Sequence, residues 1–229
     1  MKKLVVAFLL TLNLVADQLS LGIGTDVDKV GFLAYHKDPF AVEDNVWGSW
    51  YLYHRNYGMW KEFKNDEFEF EEISMDYFKK FQDRVKHNVN LYMNATHSLT
   101  VAIEFGKYNS KGGFYKLENL TPDTYFRYGG SDYVSELKLR FKNTAMVTDY
   151  DKLFVPRDEA SAMLKNRKNS RGEIDRTVRV QYDFKFSDIK ISGIPSANGG
   201  TMNLDVVGEI TRIVYIDQEN GKILRELKL

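Results

Sequence analysis

The sequence predicts an α+β fold, with an N-terminal helical hairpin packed on a mainly antiparallel, twisted β-sheet and one further short helix. Three observations predict it. Aromatic residues recur at steps of three and four between Val46 and Phe63. The C-terminal third alternates apolar and polar residues. Helix runs and strand runs are segregated along the chain and do not alternate as βαβ units.

The aromatic run Trp47, Trp50, Tyr51, His54, Tyr57, Trp60 and Phe63 lies along one side of a helix. Gly48 and Gly58 weaken that helix, each by about 1 kcal/mol relative to alanine. Lys64 to Glu72 breaks the rhythm, and a second helix is expected after Ser74 as N-cap, with Tyr77, Phe81 and Val85 on one face. Beyond His97 the period changes to two. Leu99, Val101, Ile103 and Phe105 form one face of a strand, and the turn Asn109–Gly113 leads to a partner at Phe114 to Leu120, ended by Pro122. Ser135 to Asn143 is another strand, with Leu137, Leu139 and Phe141 sharing a face. Pro156 opens the short helix Arg157 to Lys168.

In the C-terminal third, Val178, Val180, Tyr182, Phe184 and Phe186 alternate without a miss, whereas Ile189 and Ile191 take the opposite parity. Both sets face one core only if an extra residue is absorbed, which predicts a β-bulge near Ser187-Asp188. Ser196 to Gly200 reads as a flexible turn. Met202 to Asp217 is a second long strand, and Gln218–Gly221 turns it into a last one at Lys222 to Leu229.

Before all this stands MKKLVVAFLLTLNLVA. Lys2 and Lys3 give a positive n-region, Leu4 to Leu14 an apolar stretch, and Ala16 a small residue ahead of Asp17, the pattern of a secretory signal peptide. The apolar run is shorter than the ~20 residues that a spanning helix needs, so a transmembrane segment in the mature chain is not expected. Residues 1–22 are read as the leader, cut after Ala16 or Gly22, and 23–229 as a single α+β domain. The 229-residue chain has no cysteine, so no disulfide and no cysteine-linked lipid anchor is possible. An exported chain of this size without disulfides points to a bacterial periplasmic or secreted protein.

Thirty-two basic and thirty-two acidic side chains cancel, which gives no global attraction to nucleic acid. His36, His54, His87 and His97 do not fall into a zinc spacing, and no G-x-S-x-G elbow or phosphate-cradling loop is present. No catalytic residue, metal or cofactor is therefore assigned. Three features are left. The aromatic stripe could stack sugar rings, although large rings on one helical face ordinarily dock a helix. The acidic cluster Asp66, Glu67, Glu69, Glu71 and Glu72 could supply a glycosidase pair, or simply favour the N-terminus of the next helix. The basic stretch from Lys165 to Arg179 gives the candidate anion-binding residues, Arg167, Lys168 and Arg171.

The expected function is a non-catalytic binding or structural module of the cell envelope, its partner an envelope protein or an anionic glycan or lipid headgroup. The alternatives are an envelope glycan hydrolase using acids near Asp66–Glu72, and a component of an envelope assembly that offers an uncovered edge strand near Lys222 to Leu229. A solvent-facing tryptophan beside two of Asp66, Glu67 and Glu69 in a concave pocket is what the hydrolase requires. Three tryptophans buried against the sheet favour the module.

Overall fold

A computed structural model describes residues 17–18, 25–121, 123–128, 137–147, 149–193 and 203–229. Most of the leader and the Ser196–Gly200 turn fall outside them. The fold is α+β. Four helices, α1 (Thr25–Lys37), α2 (Asp44–Arg55), α3 (Tyr57–Phe63) and α4 (Glu67–Asn94), precede most of a nine-stranded sheet, and α5 (Arg157–Asn166) interrupts it.

The expected first helix is two. Asn56, at φ −149° and ψ 70°, ends α2 and caps α3, its side chain accepting from Met59 N. The aromatic stripe runs through the break, so periodicity alone hides it. Ser74 is not a cap but a buried residue inside α4. Asp66 caps α4 instead, accepting from Phe68 N at 3.2 Å and Glu69 N at 3.1 Å. The acidic run thus belongs to the helix, with Glu67 and Glu69 in the first turn where the macrodipole favours them. α1 was not expected at all.

The helices pack through rings. Trp47 stacks on Phe81 at 5.3 Å between centroids, Tyr35 meets Trp47 edge-on at 5.4 Å, and Phe32 lies 5.4 Å from Phe81. Two glycines make this possible. A Cβ on Gly48 would stand 1.9 Å from the Ser74 carbonyl oxygen of α4, and one on Gly31 would meet the Trp50 ring at 2.1 Å. A smaller cluster of Leu52, Trp60 and Phe70 closes the far side.

The strands are β1 (Asp17–Gln18), β2 (His97–Asn109), β3 (Phe114–Leu117), β4 (Tyr125–Tyr128), β5 (Leu137–Phe141), β6 (Lys152–Phe154), β7 (Thr177–Gly193), β8 (Asn203–Asp217) and β9 (Ile223–Lys228). Their order is β4-β5-β8-β7-β2-β3-β6, with β1 beside β2 and β9 beside β8. The sheet is mixed, because β5 runs parallel to β8 and β1 to β2. Register between β7 and β8 slips between Phe186 and Asp188, which leaves Ser187 as the extra residue. Tyr182, Phe184 and Ile189 are all buried as a result.

At its far end the sheet curls. Arg225 on β9 donates to the Lys152 carbonyl of β6 at 2.8 Å and lies 4.6 Å over the Phe154 ring, so the last strand does not present an open edge there. Inside the curl the core holds polar groups. Tyr215 Oη donates to the Tyr150 carbonyl at 2.7 Å, and Tyr115 Oη to the Ala160 carbonyl of α5 at 3.1 Å. Burial pushes the Tyr150 phenol up to about 12.

Candidate ligand groove

The structure divides the basic stretch of the sequence. Arg167 turns inward: its Nη2 donates to Asp217 Oδ1 at 2.8 Å, its Nη1 donates to the Thr177 carbonyl, and its guanidinium lies 5.4 Å from the Phe105 ring. At 5% exposure it holds the end of α5 to β7 and β8 and is out of reach of an external anion. Lys168 and Arg171 are exposed on a tight turn, which Asn169 ties by accepting from Arg171 N and Glu173 N. The trio named from sequence is therefore not one site.

A different surface gathers cations. In β4, β5, β7 and β8 alternate residues point to opposite sides of the sheet. Phe126, Leu139, Phe141, Val206 and Ile189 belong to the hydrophobic core. Their neighbours in sequence carry polar groups outward. Register sets Tyr125 opposite Arg140, Lys138 opposite Asp205, and Asp205 opposite Lys190. The groove over this face has a volume of about 690 Å³, and Asp123, Lys142 and Asp188 also line it.

Its charges are not equivalent. Lys142 pairs with Glu209 at 2.7 Å, and Asp188 with Lys37 of α1. That lysine holds the Asp188 carboxyl below its ordinary range. Among the described residues, Lys138, Arg140 and Lys190 have no ion-pair partner. Strand spacing puts Lys138 and Lys190 about 10 Å apart across the sheet, and Arg140 about 7 Å along β5 from Lys138. Tyr125, 55% exposed, offers a ring face beside Arg140. Asp205 lies on the same face between the two lysines, so these cations can hold an extended ligand whose anionic groups are spaced to either side of it, with an aromatic surface for an apolar or sugar face.

The alternating run Leu137, Lys138, Leu139, Arg140, Phe141 and Lys142 carries half of this site in the sequence itself. Lys190 and Asp205 arrive only through pairing and could not be read in advance. Among the described residues no group of histidines and carboxylates could hold a metal ion, and no helix is long and apolar enough to cross a membrane. The acidic cluster does not meet the hydrolase requirement. Asp66 is engaged as a helix cap, and Trp47, Trp50 and Trp60 are all buried within the helical layer.

Fold and groove define an α+β protein that presents a charged, tyrosine-edged sheet face on which basic residues outnumber acidic ones by one. Residues 41–166, more than half of the chain, match a family described as Domain of unknown function (DUF4852), and the chain belongs to that family. No curated protein and no solved structure matches it. The matched span contains Tyr125, Lys138 and Arg140 but not Lys190 or Asp205. It is not a self-contained sheet, because β5 and β2 are joined only through β8 and β7.

Proposed function

We propose that the protein is an exported, non-catalytic binding module of the bacterial cell envelope, and that its sheet groove takes an anionic glycan. The observation that carries this reading is the set of unpaired cations, Lys138, Arg140 and Lys190, beside the exposed ring of Tyr125. No tryptophan faces solvent as the hydrolase requires, although Trp60 is buried among helical residues and not against the sheet. Export rests on the lysine-tipped apolar leader, and Asp17–Gln18 favours the earlier cut. Those residues pair in parallel with His97–Ser98, and cleavage after Gly22 removes them.

The test uses the mature chain produced by secretion. Its N-terminus, read by mass spectrometry, is expected at Asp17, and retention of Met1 in cytosolic material overturns the export assignment. Polygalacturonate serves as the carboxylated glycan, dextran as the neutral control, and phosphatidylglycerol vesicles as the lipid alternative. The K138S/R140S/K190S variant is expected to lose about tenfold or more in polygalacturonate affinity at low ionic strength, a loss that narrows as salt screens the wild type. Equal binding by variant and wild type, or equal binding to dextran, overturns the ligand reading. Preference for the vesicles replaces the glycan with a lipid headgroup.

A further inference from the structure

The opposite charge collects on the helical layer. Phe40, in the connection from α1 to α2, is 93% exposed, and Phe68, in the first turn of α4, is 85% exposed. They are the only exposed phenylalanines among the described residues. Every ring that docks the helices is buried or half-buried, so these two are not part of that packing. Phe40 borders a groove of about 480 Å³ whose apolar lining also includes Val42 and Met75. Phe68 lies one and two turns before Glu71 and Met75 on the same side of α4.

The polar lining is short of cations. Glu43, Asp44 and Glu71 line the groove, and among the described residues none has an ion-pair partner. Helix dipoles favour Asp44, in the first turn of α2, and Glu43 at its N-cap, but not Glu71. Glu43 makes no capping bond, so its carboxylate has no donor from the helix it precedes, and Glu71 lies beyond the first turn of α4. Asn45 adds a separate sign. This half-buried residue lines the same groove, and its Oδ1 is buried with no donor among the described residues. Carboxylates without cations, a buried acceptor without a donor, and bare rings all call for an occupant with N–H donors, positive charge and apolar side chains.

We infer that this end of the helical layer docks a basic amphipathic segment of a partner protein, its lysines or arginines on Glu43 and Glu71 and its apolar side chains against Phe40, Phe68 and Met75. The surface is separate from the sheet groove and does not rest on its ligand.

The probes are three labelled peptides of equal length, titrated against the full mature chain by fluorescence anisotropy. One carries lysine and leucine in an amphipathic helical pattern, one lysine and serine with the same charge, and one glutamate and leucine. The lysine–leucine peptide is expected to bind best, and the F40S/F68S variant to weaken it about tenfold. Both rings are solvent-exposed, so this variant keeps the thermal midpoint of the wild type. E43Q/E71Q is expected to weaken binding similarly and to flatten its salt dependence, while K138S/R140S/K190S leaves it unchanged. Equal affinity for the lysine–leucine and lysine–serine peptides reduces the effect to net charge and overturns the proposal. So does binding that F40S/F68S does not alter. If light scattering instead finds the chain associating with itself through the two phenylalanines, with no peptide bound, the occupant is a second copy and the proposal also fails.

Discussion

The helical layer and the curled end of the sheet are built by different rules. Around Trp47, Phe32 and Phe81 the contacts are ring on ring, and two absent Cβ atoms bring the helices close enough for them. The curled end buries charge. Arg167 and Asp217 meet in its wall at 2.8 Å, both almost wholly shielded from solvent. On the outer side of β7, Asp183 accepts from Ser98, Gln181 and Arg212, and Arg212 continues to Glu226. The first region depends on shape, the second on mutual satisfaction of polar groups, and they fail differently when altered.

The largest expected effect is in the curl. Asp217→Ala leaves the Arg167 guanidinium buried without its carboxylate, a loss of about 3–5 kcal/mol in urea unfolding. The comparison sharpens with the double replacement R167M/D217L, which removes both charges and should recover most of that loss. If the double variant is as unstable as the single one, the pair is holding geometry that a hydrophobic replacement cannot supply.

In the helical layer no second change of that kind is available. Gly48→Ala drives a methyl against the backbone of α4 at Ser74, so α2 must move. A destabilisation of about 1–3 kcal/mol is expected from overpacking, despite alanine's better helix propensity. A neutral or raised midpoint in thermal unfolding breaks the claim that close approach governs this layer.

A further effect is set by pH. His54 packs on the Trp50 ring at 4.8 Å, and its pKa is lowered to about 4, chiefly by burial and then by neighbouring Arg55. The unfolded chain takes up this proton near 6.5 and the folded chain only near 4, so stability is complete above about 6.5 and is lost as pH falls towards 4. His54→Gln should flatten that part of the stability profile relative to wild type. An unchanged slope between those limits removes His54 as its source.

How much of this was legible in the chain follows the same division. The bulge at Ser187 was readable because two parities of apolar residues cannot share a face without one extra residue. The aromatic face of α2 and α3 was readable too, but not the interruption at Asn56, where a capping side chain changes the backbone and leaves the apolar period intact. α4 starts earlier than its apolar rhythm suggests, because Asp66 caps it ahead of an acidic turn. The burial of Arg167 at the end of α5 could not be foreseen, since its partner is fifty residues away on β8. Of the ligand groove, Lys138 and Arg140 were visible as the outward half of an alternating strand, and Lys190 required the register of β7 on β8. The strands β4 and β6, of four and three residues, are too short to carry a period.

β8 is the strand on which the whole sheet converges, flanked by β7 along one side and by β5 and then β9 along the other. Every other strand except β9 precedes it in the chain. Until it emerges, β4 and β5 form an isolated hairpin with no link to β7. The Asp217 carboxylate that neutralises Arg167 is missing for the same interval. The order of synthesis therefore keeps the two halves of the sheet apart until β8 has been made.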